Sequence, residues 1–398
     1  MSDKDVIELG RKIAFYRQRR GWSQRELASA VERSEAWVSQ VERGVRQVQH
    51  LKVLQRLAVQ LDVPLARLAP TAPEVAAEQR PPDAVPLRLL LSANYALRAV
   101  LGTQPAHDLE VLQADTDQVW TLAHESRYRE LVSLLETLLP RLEAAAGSSG
   151  QSEVFAMLAR SYHACAAALA KLQQFDAAWV AADRAISDAG RSGDPLLMAE
   201  GAFRLTLVFQ GARQFDQAEH TIATASAALK GMVEQGVPEA LSVYGALQLQ
   251  HAVVAARTER PDEARHYLSC AQEVATRLGE DRNDYHTEFG PTNVALHEVA
   301  VAVDLGDAGE AIRRASSIDA SRLSPERQGR LLIDVARAWT QRRNVERALA
   351  ALEDAEQVSP EQVYNHRIVR TILGDLLRME PDSAPAIQDF ARRANITV

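Results

Sequence analysis

WSQRELASAVERSEAWVSQVERG, residues 22–44, contains two helix starts with almost no chain between them. Ser23 is followed three positions on by Glu26, the spacing at which each side chain caps the other residue's backbone N–H. Leu27, Ala28 and Val31 give the helix that follows one buried face. Glu32 and Arg33 form a turn, Ser34 starts the next helix, Val38 and Val41 bury it, and Gly44 ends it. Working outward, Leu9, Ile13 and Tyr16 fall on one stripe of a helix over Val6–Arg20, stopped by Gly21. Two short helices follow, Leu51–Leu61 and Pro64–Leu68, so the spacing predicts five helices in residues 1–69. So tight a turn leaves the third helix proud of its domain, where a DNA major groove about 12 Å wide can admit it.

Charge supports that reading. Residues 1–70 carry 13 Lys+Arg against 8 Asp+Glu, and the remainder carries 32 against 45. The small basic head suits a polyanion, whereas the large acidic body does not. The composition is 46% apolar but only 5% aromatic, which suits helices packed closely on Ala, Leu and Val. Two cysteines, Cys165 and Cys270, are too few for a zinc site or a disulfide framework and read as buried small hydrophobes. MSDKDVIELG has no apolar signal-peptide core, and no run of about 18 uncharged apolar residues occurs. The expectation is a cytoplasmic, all-α protein without membrane contact. No GxxxxGK[ST], HExxH or GxSxG occurs and the histidines do not cluster with carboxylates, so no enzyme, metal or cofactor is expected.

The segment WSQRELASAVERSEAWVSQVERG with LKVLQRLAVQLDVPLARL resembles the phage-repressor (XRE) class of helix-turn-helix domains over residues 6–70. It departs from that class at Glu32, where Gly is usual, and at Arg33, where an apolar residue is usual. A left-handed backbone at Glu32 would cost about 1 kcal/mol, which favours a reshaped turn. The resemblance implies that Gln24 bonds a backbone phosphate. It also implies that Glu35, Ala36 and Gln40 face base edges beside Ser34 and Ser39, and that Arg43 holds phosphate. Gln can pair with adenine, Ala can touch a thymine methyl and Glu can accept from cytosine. Trp37 has two readings, packing against the second helix or touching the DNA backbone.

PTAPEVAAEQRPPDAVP, residues 70–86, reads as a semi-rigid linker that lets the head be placed variably. Beyond it, in residues 87–398, helices repeat. Ala pairs seven apart recur at Ala178/Ala185, Ala218/Ala225, Ala264/Ala271, Ala348/Ala355 and Ala384/Ala391. A bend residue precedes each pair (Phe175, Phe215, Pro261, Val345, Pro381), and weaker copies centre on Leu131 and Ala311. QFDAAWVAADRAI and QFDQAEHTIATAS resemble tetratricopeptide repeats, which implies a right-handed α-solenoid with about seven copies between residues 108 and 395. Carrying the repeat register across, the groove candidates are Arg160, His163, Glu200, Arg204, Gln210, Gln250, Asn293, His297, Arg330, Asp334, Arg337, His366 and Arg370. Arginine dominates this set, as an anionic ligand or peptide carboxylate would require. GEDRNDYHTEFGPTN, residues 279–293, interrupts the repeat. Its Asn283 and Tyr285 read as ligand contacts at the groove mouth, with a plain connecting loop as the competing reading.

Head plus repeats resembles the peptide-sensing quorum regulators and a related actinobacterial set. The expected function is a homodimeric transcriptional regulator that binds double-stranded DNA and takes a peptide or small anionic ligand in the repeat groove. The alternative is a DNA-located scaffold controlled by a partner protein.

Overall fold

The computed structural model describes residues 3–48, 51–63, 68, 84–91, 108–380, 384–394 and 396. Among the described residues the regular structure is helical, apart from one isolated antiparallel bridge between Arg282 and Phe289. The all-α expectation holds.

The head comprises α1 (Asp3–Arg19), α2 (Gln24–Ala30), α3 (Glu35–Glu42) and α4 (Leu51–Gln60). The expected fifth helix, 64–68, lies outside the described residues except for Leu68, which is buried. The capping box at Ser23 is formed in both directions: Glu26 N–H donates to Ser23 Oγ at 3.2 Å, and Ser23 N–H donates to Glu26 Oε2 at 2.7 Å. Ser34 Oγ caps α3 by accepting from Trp37 N–H at 3.2 Å. Leu9, Ile13, Tyr16, Leu27, Val31, Val38, Val41 and Leu57 form the core predicted from their spacing. Gly10 is required because α1 lies directly on the end of α3; a Cβ there would sit 2.3 Å from the Val41 carbonyl oxygen.

The turn between α2 and α3 is not reshaped. Glu32 adopts the left-handed conformation, φ 54°, and the Arg33 N–H reaches back to the Ala28 carbonyl at 2.8 Å. That pairing is the Schellman helix ending. Arg56 of α4 bonds the Glu32 carboxylate at 2.6 Å and clamps the turn from outside.

The linker expected at 70–86 lies mostly outside the described residues; its last residues enter α5 (Val85–Leu90), whose Leu87 and Leu90 pack into the body. Seven hairpins then follow. They are α6 (Leu109–His124) with α7 (Tyr128–Ser149), α8 (Ser152–Lys171) with α9 (Phe175–Ser192), and α10 (Pro195–Gly211) with α11 (Phe215–Glu234). Next come α12 (Pro238–Arg257) with α13 (Pro261–Leu278), and α14 (Pro291–Asp304) with α15 (Ala308–Ala315). The last are α16 (Pro325–Gln341) with α17 (Val345–Val358), then α19 (Arg367–Met379) with α20 (Ala384–Arg393) after a short α18 (Pro360–Asn365). The bend residues Phe175, Phe215, Pro261 and Val345 are each the first residue of a second helix. Ala178, Ala185, Ala218, Ala264, Ala271, Ala348 and Ala355 are fully buried where the helices of a pair meet.

One turn joins the helices within six of these hairpins. A residue of left-handed φ sits two positions before the second helix, at Ser126, Gln173, Arg213, Glu259, Gly306 and Arg343. The next N–H bonds five residues back in each case, for example Gln174 to Leu169 at 2.8 Å and Asn344 to Trp339 at 3.0 Å. Five of the six are not Gly, so each of those five hairpins tolerates roughly 1–2 kcal/mol of backbone strain.

The first helix of each hairpin packs on the first helix of the next, and the row curls until its ends meet. α6 touches α16. Ser126 Oγ–H donates to Gln362 Oε1 at 3.2 Å and Arg129 N–H donates to Glu361 at 3.0 Å. The first helices therefore face an enclosed interior.

Candidate nucleic-acid interface and repeat cavity

On α3, Ser34, Glu35, Ala36 and Arg43 are exposed, and Ser39 and Gln40 are half-buried. Arg46 lies 3.4 Å from Gln40 Oε1 and donates to it. Arg25, Arg33, Arg43 and Arg46 are all exposed, a basic rim suited to phosphates. Trp37 is 9% exposed and packs into the head core, the first of its two readings, with the Arg33 guanidinium 5.8 Å from its ring centroid. Gln24 donates to Glu42 at 2.8 Å and so ties α2 to α3. Sequence reasoning missed the centre of this tie. Arg17 forks onto the Glu42 carboxylate and donates to the Trp22 carbonyl at 2.6 Å, fixing α3 against α1. An Arg on an otherwise apolar helix stripe was the available signal.

The interior holds a cavity of about 360 Å³. Arg204, Gln250, Asn293, His297, Arg330, Asp334 and Arg337 line it, as do Gln210 and His366. Six expected residues, Arg160, His163, Glu200, Asn283, Tyr285 and Arg370, lie elsewhere. Arg370 is exposed and does not line the cavity, because its helix turns that position outward. His163 is fully buried against Glu200, 3.1 Å away. Arg160 and Tyr285 line a separate small pocket with Asp194 and Glu200.

Asp304 marks the electrostatic centre. Arg19, Arg257 and Arg337 all pair with its carboxylate, and Arg337 also bonds Asp334 at 2.8 Å. Burial would raise the Asp304 pKa, but Arg337, Arg257 and Arg19 outweigh it and hold the group far below the usual carboxylate range. Burial and nearby guanidiniums depress the imidazoles. His297 is pushed down to about 4 and His286 to about 3, and His366 is held well below its usual value. Those rings are neutral at pH 7, so the charge of the wall comes from ten Arg and Lys against six Asp and Glu.

Residues 279–293 connect α13 to α14 and are fastened to the repeats at several points. His286 stacks on Trp120, centroids 4.1 Å apart and rings 6° from parallel. Arg204 donates to the His286 carbonyl at 2.6 Å, Tyr285 OH donates to Asp194 at 3.0 Å, and Asn283 meets His124 at 3.3 Å. Phe289 is fully buried against Gly245, where any Cβ would strike its ring. Tyr285, His286 and Glu288 all have left-handed φ, strain that this packing must offset. Asn283, which is exposed, and Tyr285, which is half-buried, thus have protein partners and do not line the cavity. His286, Glu288 and Asn293 are the residues of the segment that reach the cavity. Nothing in a single sequence fixes which side of so irregular a turn faces inward.

Tyr16, Arg19, Arg20 and Asp62, all from the head, also line the cavity. Arg20 forks onto Asp375 at 2.7 and 2.8 Å, and Trp22 Nε1 donates to the same carboxylate at 2.9 Å. The Arg20 and Arg378 guanidiniums lie 4.2 and 4.8 Å from the centroid of the Trp22 ring. Asp62 pairs with Arg213 and Arg367, and Glu26 pairs with Arg343. The linker composition predicted an independently placed head; the structure seats it on the body by this contact, and Glu35, Ala36 and Arg43 stay exposed.

No helix of the described residues is long and apolar enough to cross a membrane. Solved structures of similar outline include aspartyl phosphate phosphatase F from Bacillus subtilis, at 14% identity over 90% of this chain and 94% of that one, TM-score 0.46. PlcR from Bacillus thuringiensis, solved with the peptide PapR7 and DNA, matches at 14% identity over 96% and 99%, TM-score 0.34. A mutant of PrgX matches at 9% identity over 96% and 99%, TM-score 0.26. No curated protein sequence matches the chain. Residues 8–70 match the family model described as a helix-turn-helix domain, and the chain carries this DNA-binding domain at its N-terminus.

Proposed function

We propose that this protein is a dimeric transcriptional regulator whose repeat cavity takes a peptide or a small anionic ligand and thereby sets the placement of its DNA-reading heads. The observation that carries the reading is the cavity wall itself, since Arg19 and Arg20 of the head stand in it beside Arg257, Arg330 and Arg337 of the repeats. Gln40, Glu35 and Ala36 read base edges, Arg43 holds phosphate, and Ser34 and Ser39 stand beside them. Gln24 acts by bracing α3 through Glu42. One head makes few phosphate contacts, and a second head about 34 Å away raises affinity through effective concentration. In the cavity, the buried amide of Asn293 donates to the Glu288 carbonyl at 2.7 Å while its Oδ1 has no protein partner, leaving an acceptor for a ligand N–H.

An operator titration tests this reading. Gln40→Ala with Arg43→Ala is expected to lower affinity for the protein's own promoter by at least tenfold, since one base-edge pair is worth about 1–3 kcal/mol. Unchanged affinity would reject it. Trp179 and Val180, 52% and 45% exposed on α9, favour a second reading in which a partner protein docks on the outer surface.

A further inference from the structure

The head does more than rest on the repeats: it completes the cavity. The last turn of α1 contributes Tyr16, Arg19 and Arg20, and the segment after α4 contributes Asp62. Remove the head, and Asp304 loses one of its three guanidinium partners and Asp375 loses two donors, Arg20 and Trp22. Both carboxylates are almost fully buried. The backbones are also close here, because a Cβ on Gly21 would lie 2.8 Å from Gln341 Cα.

From these contacts we infer that the ligand is an anionic molecule that bridges the two domains, accepting from Arg19 or Arg20 on the head and from Arg257 or Arg330 on the repeats, and that it fixes the head in its docked position. This rests on the cavity being the ligand site. The physical reason is linkage: a ligand whose contacts come from both walls binds the docked arrangement and loses half its partners in the undocked one. Occupancy therefore pulls the head onto the body. The wall has spare donors for such a molecule. Arg257 spends Nε on Asp304 and Nη1 on Gln210, and Arg330 spends Nε on Asp334, which among the described residues leaves the Nη2 group of each for a carboxylate or phosphate.

Hydrogen exchange on the full chain tests the inference, read at the amides of residues 20–22 and 341–343. Two probes separate the possible anionic groups, inorganic pyrophosphate for phosphate and tetraglutamate for carboxylate. Sodium chloride at matched ionic strength serves as the control. Salt alone weakens docking, because it screens the pairs across the interface. A probe at ten times its Kd is expected to slow exchange at both segments about tenfold, and Arg19→Gln with Arg257→Gln is expected to abolish that slowing. Protection by pyrophosphate alone or by tetraglutamate alone assigns the group. Faster or unchanged exchange at the interface with both probes would overturn the bridging inference. The operator titration with Gln40→Ala and Arg43→Ala involves no cavity residue, so failure here is distinguishable from failure of the DNA-binding reading.

Discussion

The head has two working sides, and they are built differently. On the α3 side, Glu35, Ala36 and Arg43 project into solvent and Gln40, among the described residues, is held by Arg46, so the polar groups there have capacity left over. On the α1 side, Arg19, Arg20 and Trp22 are committed to Asp304 and Asp375 inside the body. Docking therefore occludes the second side and leaves the first available. Under the proposed function, regulation would act on where a head is held, because the exposed face of α3 is open in the docked chain.

Arg17 joins these two sides, and its loss is the most damaging change. Arg17→Ala leaves the nearly buried Glu42 without its fork and is expected to cost the head about 3–5 kcal/mol, read as a loss of denaturant midpoint for the 1–69 transition. Gly245→Val would drive side-chain atoms into the Phe289 ring and dislodge the 279–293 segment. Overpacking of this kind costs roughly 1–3 kcal/mol, and hydrogen exchange at Thr287 and Phe289 should rise with it. The comparison is also sharpened by pH. Burial acts to raise Glu26 and Asp62, but Arg343 and Arg213 with Arg367 outweigh it and hold each carboxyl at about 2 in the docked chain. Their ordinary values are 4.5 and 3.8. Depressed carboxyls stabilise docking fully above the ordinary value and lose it as pH falls. Through these two groups docking should be constant above about pH 5 and weaken progressively toward pH 2, with α3 exchange unchanged until the head itself unfolds; Asp375, whose carboxyl burial pushes above its usual value despite Arg20, contributes in the opposite sense as it takes up its proton. The smallest effect concerns the shared turn. Glu259→Gly should relieve left-handed strain and add about 0.5–1 kcal/mol of stability after the entropy cost of glycine, read as a slightly higher thermal midpoint.

Much of the architecture was legible because it follows from periodic spacing. Ser23 with Glu26, the Leu9–Ile13–Tyr16 stripe and the Ala pairs each specify a local geometry that the structure forms. The turn at Glu32 was misjudged for an instructive reason. A Gly was expected where φ is positive, yet the same ending occurs without Gly at Gln173, Arg213, Glu259 and Arg343. The bond five residues back and the packing of the next helix outweigh the strain. The cavity was legible in part. Register along a first helix correctly placed Arg204, Gln250, His297, Arg330 and Arg337 inward. Arg160, His163, Glu200 and Arg370 were also expected inward and do not line the cavity, nor do Asn283 and Tyr285, which have no regular register. Arg19, Arg20 and Asp62 were out of reach altogether, because they enter the cavity by contacts spanning hundreds of residues in sequence.

Hydrogen exchange of the full chain with and without operator DNA tests the two-sided head most directly. The account predicts that residues 34–43 gain protection only when DNA is added, while residues 20–22 are already protected in the free chain and stay so. Protection of 20–22 that appears only with DNA, or a 34–43 segment indifferent to DNA, would contradict it.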